Sequence, residues 1–228
     1  MQLHADLDET VWYPGLEADT RAWVPSPLPG VERLMLDRDG DEVAVATSLV
    51  RYAPNSTFSP HSHALGEEYL VLEGEFGDEH GRYPAGTYVR NPAGTGHEPF
   101  VDPGCVIWVK LRQFHEQDQR QFEVRPELVP VTAGQDVQPL HEFADPTDER
   151  LRERVAILRG ASGERLVMPA DFNTQEVFVL AGSVDWQWDE TIQFTRWGWL
   201  RLGPGEPLRL TVREPAVLLW KTRPQYAR

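Results

Sequence analysis

Apolar residues along this chain recur at every second position or in short unbroken runs, and turn-forming residues close the runs. A period of two puts alternate side chains on opposite faces, which is the mark of a strand. The pattern predicts strands over Glu42–Tyr52, Glu67–Phe76, Thr87–Asn91 and Cys105–Phe114. A second group covers Arg154–Leu158, Glu164–Met168, Glu176–Val184, Ile192–Phe194, Gly198–Leu202, Leu208–Val212 and Ala216–Lys221. Turns rich in Gly, Asp and Pro lie at Asp39–Asp41, Asp78–Gly81, Gly160–Gly163 and Gly203–Gly205. No segment sustains the apolar spacing of an amphipathic helix. Strands at roughly 8–12-residue intervals describe an all-β chain built as sandwiches or barrels.

The strand pattern also repeats. Glu68 to Gly74 reads EYLVLEG and Glu176 to Gly182 reads EVFVLAG, an offset of 108 residues. Gly86 stands six residues before Pro92, and Gly198 stands six before Pro204. Two β units of similar plan follow from this, taken as residues 1–120 and 121–228. The segment Phe114–Arg150 is rich in Gln, Glu, Asp and Pro and reads as the linker between them.

Length and charge narrow the picture. The 228 residues suffice for two small cores, and 40% apolar residues are enough to fill them. The net charge of −14 repels phosphate backbones and anionic lipid, so neither nucleic acid nor a membrane surface is expected as a partner. No run of about 18 apolar residues is present to span a bilayer. The N-terminal residues are acidic and polar, unlike a secretion signal. The single cysteine, Cys105, lies in an apolar run and has no partner for an intrachain disulfide. A cytoplasmic location is the expectation.

The strongest chemical signal is the segment from Ser59 to Glu67. On a strand His61 and His63 point to one face, and a short turn after them brings Glu67 onto the next strand. His97 follows in the Gly-rich stretch from Pro92. Imidazole and carboxylate together suit a first-row divalent metal. Four such ligands around a dication leave a formal charge of about +1 and, on an octahedral ion, two open positions. A closed structural zinc site would instead use thiolates, which this sequence does not supply. A His-x-His pair alone is a weak signal, since polar surface loops carry such pairs without any metal.

The four residues together resemble the cupin family. His61, His63, Glu67 and Gly74 keep the spacing of its first motif, and Gly86, Pro92, Gly94 and His97 keep that of its second. Asn55 and Val101 stand where the motifs have glycine and asparagine; neither is a ligand position, and Asn tolerates left-handed backbone. Residues 23–114 look closer still to the cupin-like domain of ChrR-type anti-sigma factors, through Trp23 to Pro27, Leu49 to Pro54, Glu67 to Gly74, Tyr83 to Pro92 and Val109 to Arg112. The resemblance implies two tandem jelly-roll barrels, the second degenerate. It implies one divalent metal (Zn, Fe, Mn or Ni) on His61, His63, Glu67 and His97, and a small-molecule ligand at that metal. Cupins with this ligand set include dioxygenases for small diketone, acetophenone or phenolic compounds. The alternative is a ChrR-like metal-binding sensor, and a storage-type bicupin is a third reading. ChrR also carries a helical zinc domain that grips a sigma factor; this sequence shows no such segment, so a sigma-factor partner is not carried over. A homodimer is implied by the family alone.

In the second unit the four ligand positions fall on Pro169, Asp171, Gln175 and Arg209, a set that cannot hold a metal. Trp186, Trp188, Trp197 and Trp199 alternate, and core or interface packing is the expectation for them over a sugar or base platform. Glu68 and Glu98 each follow a ligand and are expected to turn outward. His80 reads as a turn residue, His4, His115 and His141 lie outside any ligand spacing, and Tyr52, Phe58, Phe100 and Trp108 read as pocket lining or core.

Overall fold

A computed structural model describes residues 2–3, 9–16, 21–40, 44–148 and 150–224, with side chains from residue 9 onward. His4, Asp41 of the first turn and Glu42 of the first expected strand lie outside the described residues. The described residues are strands, turns and loops, without a helix. They form two compact units, one from Gln2–Leu3 and Arg21–Pro126, the other from residues 9–16 and from Glu127 onward.

The first unit is an antiparallel sheet. Its strand order is Gln2–Leu3, Val31–Asp39, Val45–Tyr52, Cys105–Leu111, Glu67–Asp78, Tyr88–Asn91 and Phe122–Val124. The second repeats the plan with Gln135–Ala144, Arg152–Gly160, Leu208–Arg223, Thr174–Gln187, Trp199–Leu202 and Val11–Tyr13. The sequence boundary at 120/121 thus differs at two places: residues 9–16 group with the second unit, where Val11–Tyr13 pairs with Trp199–Arg201, and residues 121–126 group with the first, where Phe122–Val124 pairs with Tyr88–Arg90. The expected linker is corrected too. It contains a ten-residue strand, Gln135–Ala144, bonded along its length to Arg152–Gly160. This is an edge strand with mostly polar, half-exposed side chains, and Pro139 sits at a shift in its register, where a missing N–H costs least.

Alternation selects what each strand buries. Val31, Val50, Tyr69, Val71, Phe76, Val89, Val101, Ile107 and Val109 form the first core. Leu158, Leu166, Val177, Val184, Trp186, Leu200, Leu210, Leu218 and Trp220 belong to the second. The repeat extends to two glycines. Gly74 and Gly182 have φ of 71° and 73°, and a Cβ on either would sit 1.9 Å from the Gly104 carbonyl oxygen or 2.2 Å from that of Pro215. Only glycine fits so close an approach at positive φ.

It also extends to buried charge. Lys110, Glu68 and Arg90 stand in register across three neighbouring strands, as do Lys221, Glu176 and Arg201, and all six are buried. Glu68, expected to turn outward, does leave the core face but is buried there rather than facing solvent. Its carboxylate accepts from Tyr88 Oη and lies 3.4 Å from Arg90, which also meets Asp118 at 2.5 Å. A buried charge is tolerated only when so paired.

Candidate metal centre

A small ribbon brings the histidines together. His61–Ser62 pairs antiparallel with Gly96–His97, so His61 and His97 stand directly opposite one another. The ribbon is tight because Gly96 faces the His61 carbonyl, which a Cβ would approach to 2.7 Å. His63 continues it: its amide donates to the Thr95 carbonyl at 2.8 Å, and its carbonyl accepts from the Gly94 amide at 2.9 Å. Gly66, at φ 79°, then turns the chain into the long strand Glu67–Asp78. Asn55 takes φ 58°, the left-handed geometry that makes it a workable substitute for glycine.

The result is convergence. One ring nitrogen from each of His61, His63 and His97 lies within 4.8 Å of the other two. Glu67 Oε2 stands 3.4 Å from His63 Nε2 and 3.8 Å from His97 Nε2. His63 Nε2 and Glu67 Oε2 are buried without a hydrogen-bond partner. A buried imidazole nitrogen and a buried carboxylate oxygen left unpaired 3.4 Å apart are costly unless something joins them. A divalent cation does so, and three imidazoles with one carboxylate are a donor set it accepts. The four residues fit the metal.

The outer contacts fix which nitrogen faces inward. His61 Nδ1 lies 3.0 Å from the Ser59 carbonyl, and His97 Nδ1 lies 3.1 Å from Asp78 Oδ2. Carbonyl and carboxylate oxygens only accept, so each Nδ1 carries the proton and each Nε2 keeps its lone pair for the centre. Asp78 is itself held by the His80 and Gly81 amides at 2.8 and 3.1 Å and by Tyr83 Oη at 2.9 Å. Glu67 accepts from the Asn91 side chain, whose Oδ1 accepts from Gln121 at 3.2 Å. Asp78 and Asn91 were missed in the sequence. Asp78 is disguised as the first residue of an Asp-Glu-His-Gly turn, and no spacing rule links it to His97.

Electrostatics agree with the geometry. Burial, then His97 and His61, lowers His63 to about 3, so its contact with Glu67 is not an ion pair at neutral pH. Burial raises Glu67 to about 7, against the pull of His97 and Asn91. Burial works to lower His97, but the Asp78 hydrogen bond and the charge of Glu67 outweigh it and hold the ring above its ordinary value. Burial likewise works to raise Asp78, and hydrogen bonds from His97, the His80 amide and Tyr83 hold it below the usual range instead.

Aromatic rings line the interior. Tyr52 packs on Phe58 at 5.4 Å and on Phe76 at 5.5 Å, and Phe76 lies 6.1 Å from His97. Burial and then the charge of Glu67 push the Tyr52 and Tyr69 phenols far up, so both stay protonated. A cleft of about 190 Å³ opens beside His97, with Asp78, His80, Tyr83, Asn91, Gln121 and Phe122 in its wall. Phe100 instead packs under Arg82, and Trp108 is buried away from the core cluster that holds Tyr69. Glu98 and His80 are exposed, and the thiol of Cys105 is pushed up to about 12 by burial, then by Glu75. His115 Nδ1 accepts from the Gln117 amide at 3.1 Å, and His141 is buried in the second unit.

The second unit builds no such cluster among the described residues. Gln175 donates to the Pro169 and Glu206 carbonyls at 2.9 and 2.8 Å and accepts from Trp220 Nε1 at 3.0 Å. Its amide is spent on structure. Asp171 caps the Asn173 amide at 3.0 Å, and Arg209 points to solvent. Of the tryptophans, Trp186, Trp197 and Trp199 are buried, while Trp188 is half-exposed and stacks on Trp186 at 5.0 Å.

Residues 15–115 match the family model of the ChrR cupin-like domain. The bacterial pirin YhhW from Escherichia coli, solved in complex with nickel(II), superposes with a TM-score of 0.66 over 96% of this chain and 100% of its own, at 14% identity. The chain has the cupin fold, and its residues 15–115 are similar to the ChrR cupin-like domain. Protein Ylba from E. coli matches this chain at a TM-score of 0.69 over 98% of the chain and 94% of its own, at 12% identity. The salicylate 1,2-dioxygenase of Pseudaminobacter salicylatoxidans matches at 0.55 over 78% and 71%, also at 12% identity. Identities this low carry the fold and nothing further. No curated protein matches this chain in sequence.

Proposed function

We propose that this cupin binds one divalent metal through His61, His63, Glu67 and His97 and acts as a metal-dependent dioxygenase on a small compound with oxygen donors, in the range of diketones, acetophenones and phenols. The observation that carries the reading is the convergence of three imidazoles and a carboxylate with His63 Nε2 and Glu67 Oε2 left without partners. The metal would supply Lewis acidity and open coordination positions for substrate and dioxygen. The chain's residues do the rest. Ser59 and Asp78 orient His61 and His97, Asn91 holds Glu67, and the Tyr52, Phe58 and Phe76 rings form an apolar cluster that reaches His97. Nickel-bound pirin and the salicylate dioxygenase are fold relatives that support this choice of chemistry. The match to the ChrR cupin-like domain favours a second reading, a metal-holding sensor that acts through a partner chain.

Anaerobic purification, metal analysis and oxygen uptake with a panel of diketones and phenols separate the two. Uptake that depends on added Fe(II), Mn(II) or Ni(II) supports the enzyme. Bound metal without turnover on any of these ions sinks it and leaves the sensor. Asp78→Asn tests the orientation of His97: metal affinity is expected to fall by about 10- to 100-fold, measured by competition with a chelator. An unchanged affinity would show that Asp78 does not position the ring.

A further inference from the structure

Among the described residues of the first unit, the Tyr69 hydroxyl, like Gln113 Oε1, is a buried polar atom left without a partner once the metal ligands have their roles. Tyr69 stands two residues beyond Glu67 on the strand Glu67–Asp78, so both side chains enter from the same face. Its ring packs 5.1 Å from Phe76, which in turn packs on His97, and 6.2 Å from Tyr83, which bonds Asp78. The residue is fully buried, and its hydroxyl has no hydrogen-bond partner among the described residues. A buried hydroxyl without an acceptor is destabilising. A cation accepts no hydrogen bond, so the O–H proton still needs an acceptor.

We infer that Tyr69 is a ligand-binding residue whose hydroxyl donates to an oxygen of a small monoanionic chelator at the metal, of the 1,3-diketone enolate type. The inference rests on the metal reading above. Charge and shape select the ligand class. A dication with Glu67 as its one anionic ligand leaves about +1, which a monoanion neutralises. Val71, Phe76 and Val101 share the core cluster of Tyr69, and the carboxylates of Glu67 and Asp78 already act on it, so methyl or ring substituents suit the ligand better than a second charge.

The test uses the full chain loaded with Ni(II), as wild type and as Tyr69→Phe, titrated with acetylacetone at pH 8. Nickel content is measured first. The variant is expected to keep its nickel, to be at least as heat-stable as wild type when metal-free, and to bind acetylacetonate about 10- to 100-fold more weakly, the size of one hydrogen bond to an anionic acceptor. Equal affinity of the two proteins overturns the inference. So does loss of nickel or of metal-free stability in the variant, since Tyr69 would then be structural. Loaded wild type that ignores acetylacetone overturns the ligand class. Wild type that takes up no nickel removes the metal reading itself, which the first measurement reveals before any ligand is added.

Discussion

Changing His63 to alanine is expected to weaken divalent-metal binding by about 100- to 1,000-fold while the metal-free protein keeps its fold. The size follows from sharing a typical ~10–16 kcal/mol of zinc-site binding energy over four ligands, about 2.5–4 kcal/mol each. The retained fold follows from the site. His63 Nε2 has no partner without a cation, so its removal breaks no hydrogen bond of that atom. The wild type should gain about 2.7 kcal/mol of stability at a metal concentration a hundred times its dissociation constant, and the variant should gain almost none there. Calorimetric titration together with melting curves, each with and without metal, reads both effects. The same change at exposed His80, whose ring nitrogen lies 3.7 Å from Glu79, should leave metal content unaltered. Equal losses from the two substitutions would overturn the ligand set.

The second large effect is on pH. Metal affinity is expected to fall about tenfold between pH 8 and pH 6 through Glu67 alone. Its carboxyl is raised to about 7 in the metal-free protein and must be ionised to ligate, so the metal-bound state holds fewer protons and acid drives release. His97, also held above its ordinary value, adds to the fall in the same window. His63, lowered to about 3, adds nothing until far more acid conditions. Titrations in two buffers of different ionisation enthalpy should therefore show proton release on binding at pH 6 and little at pH 8. Binding that is flat across this range would exclude Glu67 as a ligand. For folding without metal the sign is opposite. A carboxyl raised in the folded state costs stability as pH climbs from about 4.5 to about 7, and that cost is absent below the lower value.

The convergence of His61, His63 and His97 was legible because each sits where period-two alternation and a glycine turn leave little choice. The strands that bury one clean apolar face were legible for the same reason, from Glu67–Asp78 to Trp199–Leu202. Leu208–Val212 and Ala216–Lys221 proved to be one strand, Leu208–Arg223, because the polar stretch between them stays paired through register shifts. Val31–Asp39 escaped notice since buried Asp37 and Arg38 break its pattern, and Gln135–Ala144 because an edge strand has little to bury. The supporting shell was the least visible. Asp78, Asn91 and Tyr69 act through distances between strands, and a linear spacing carries no trace of them. Glu68 misled for a related reason: alternation turned it off the core face correctly, but that face is buried as well.

Val11–Tyr13 carries a practical lesson for anyone dissecting the chain. A fragment that starts at residue 121 loses this strand, although every residue of its main sheet core is retained. The backbone amides and carbonyls of Trp199–Arg201 would then lie bare along one margin, a template for another molecule to zip onto. The half without the metal ligands should thus be insoluble when expressed alone, and should recover once the first twenty residues are grafted back.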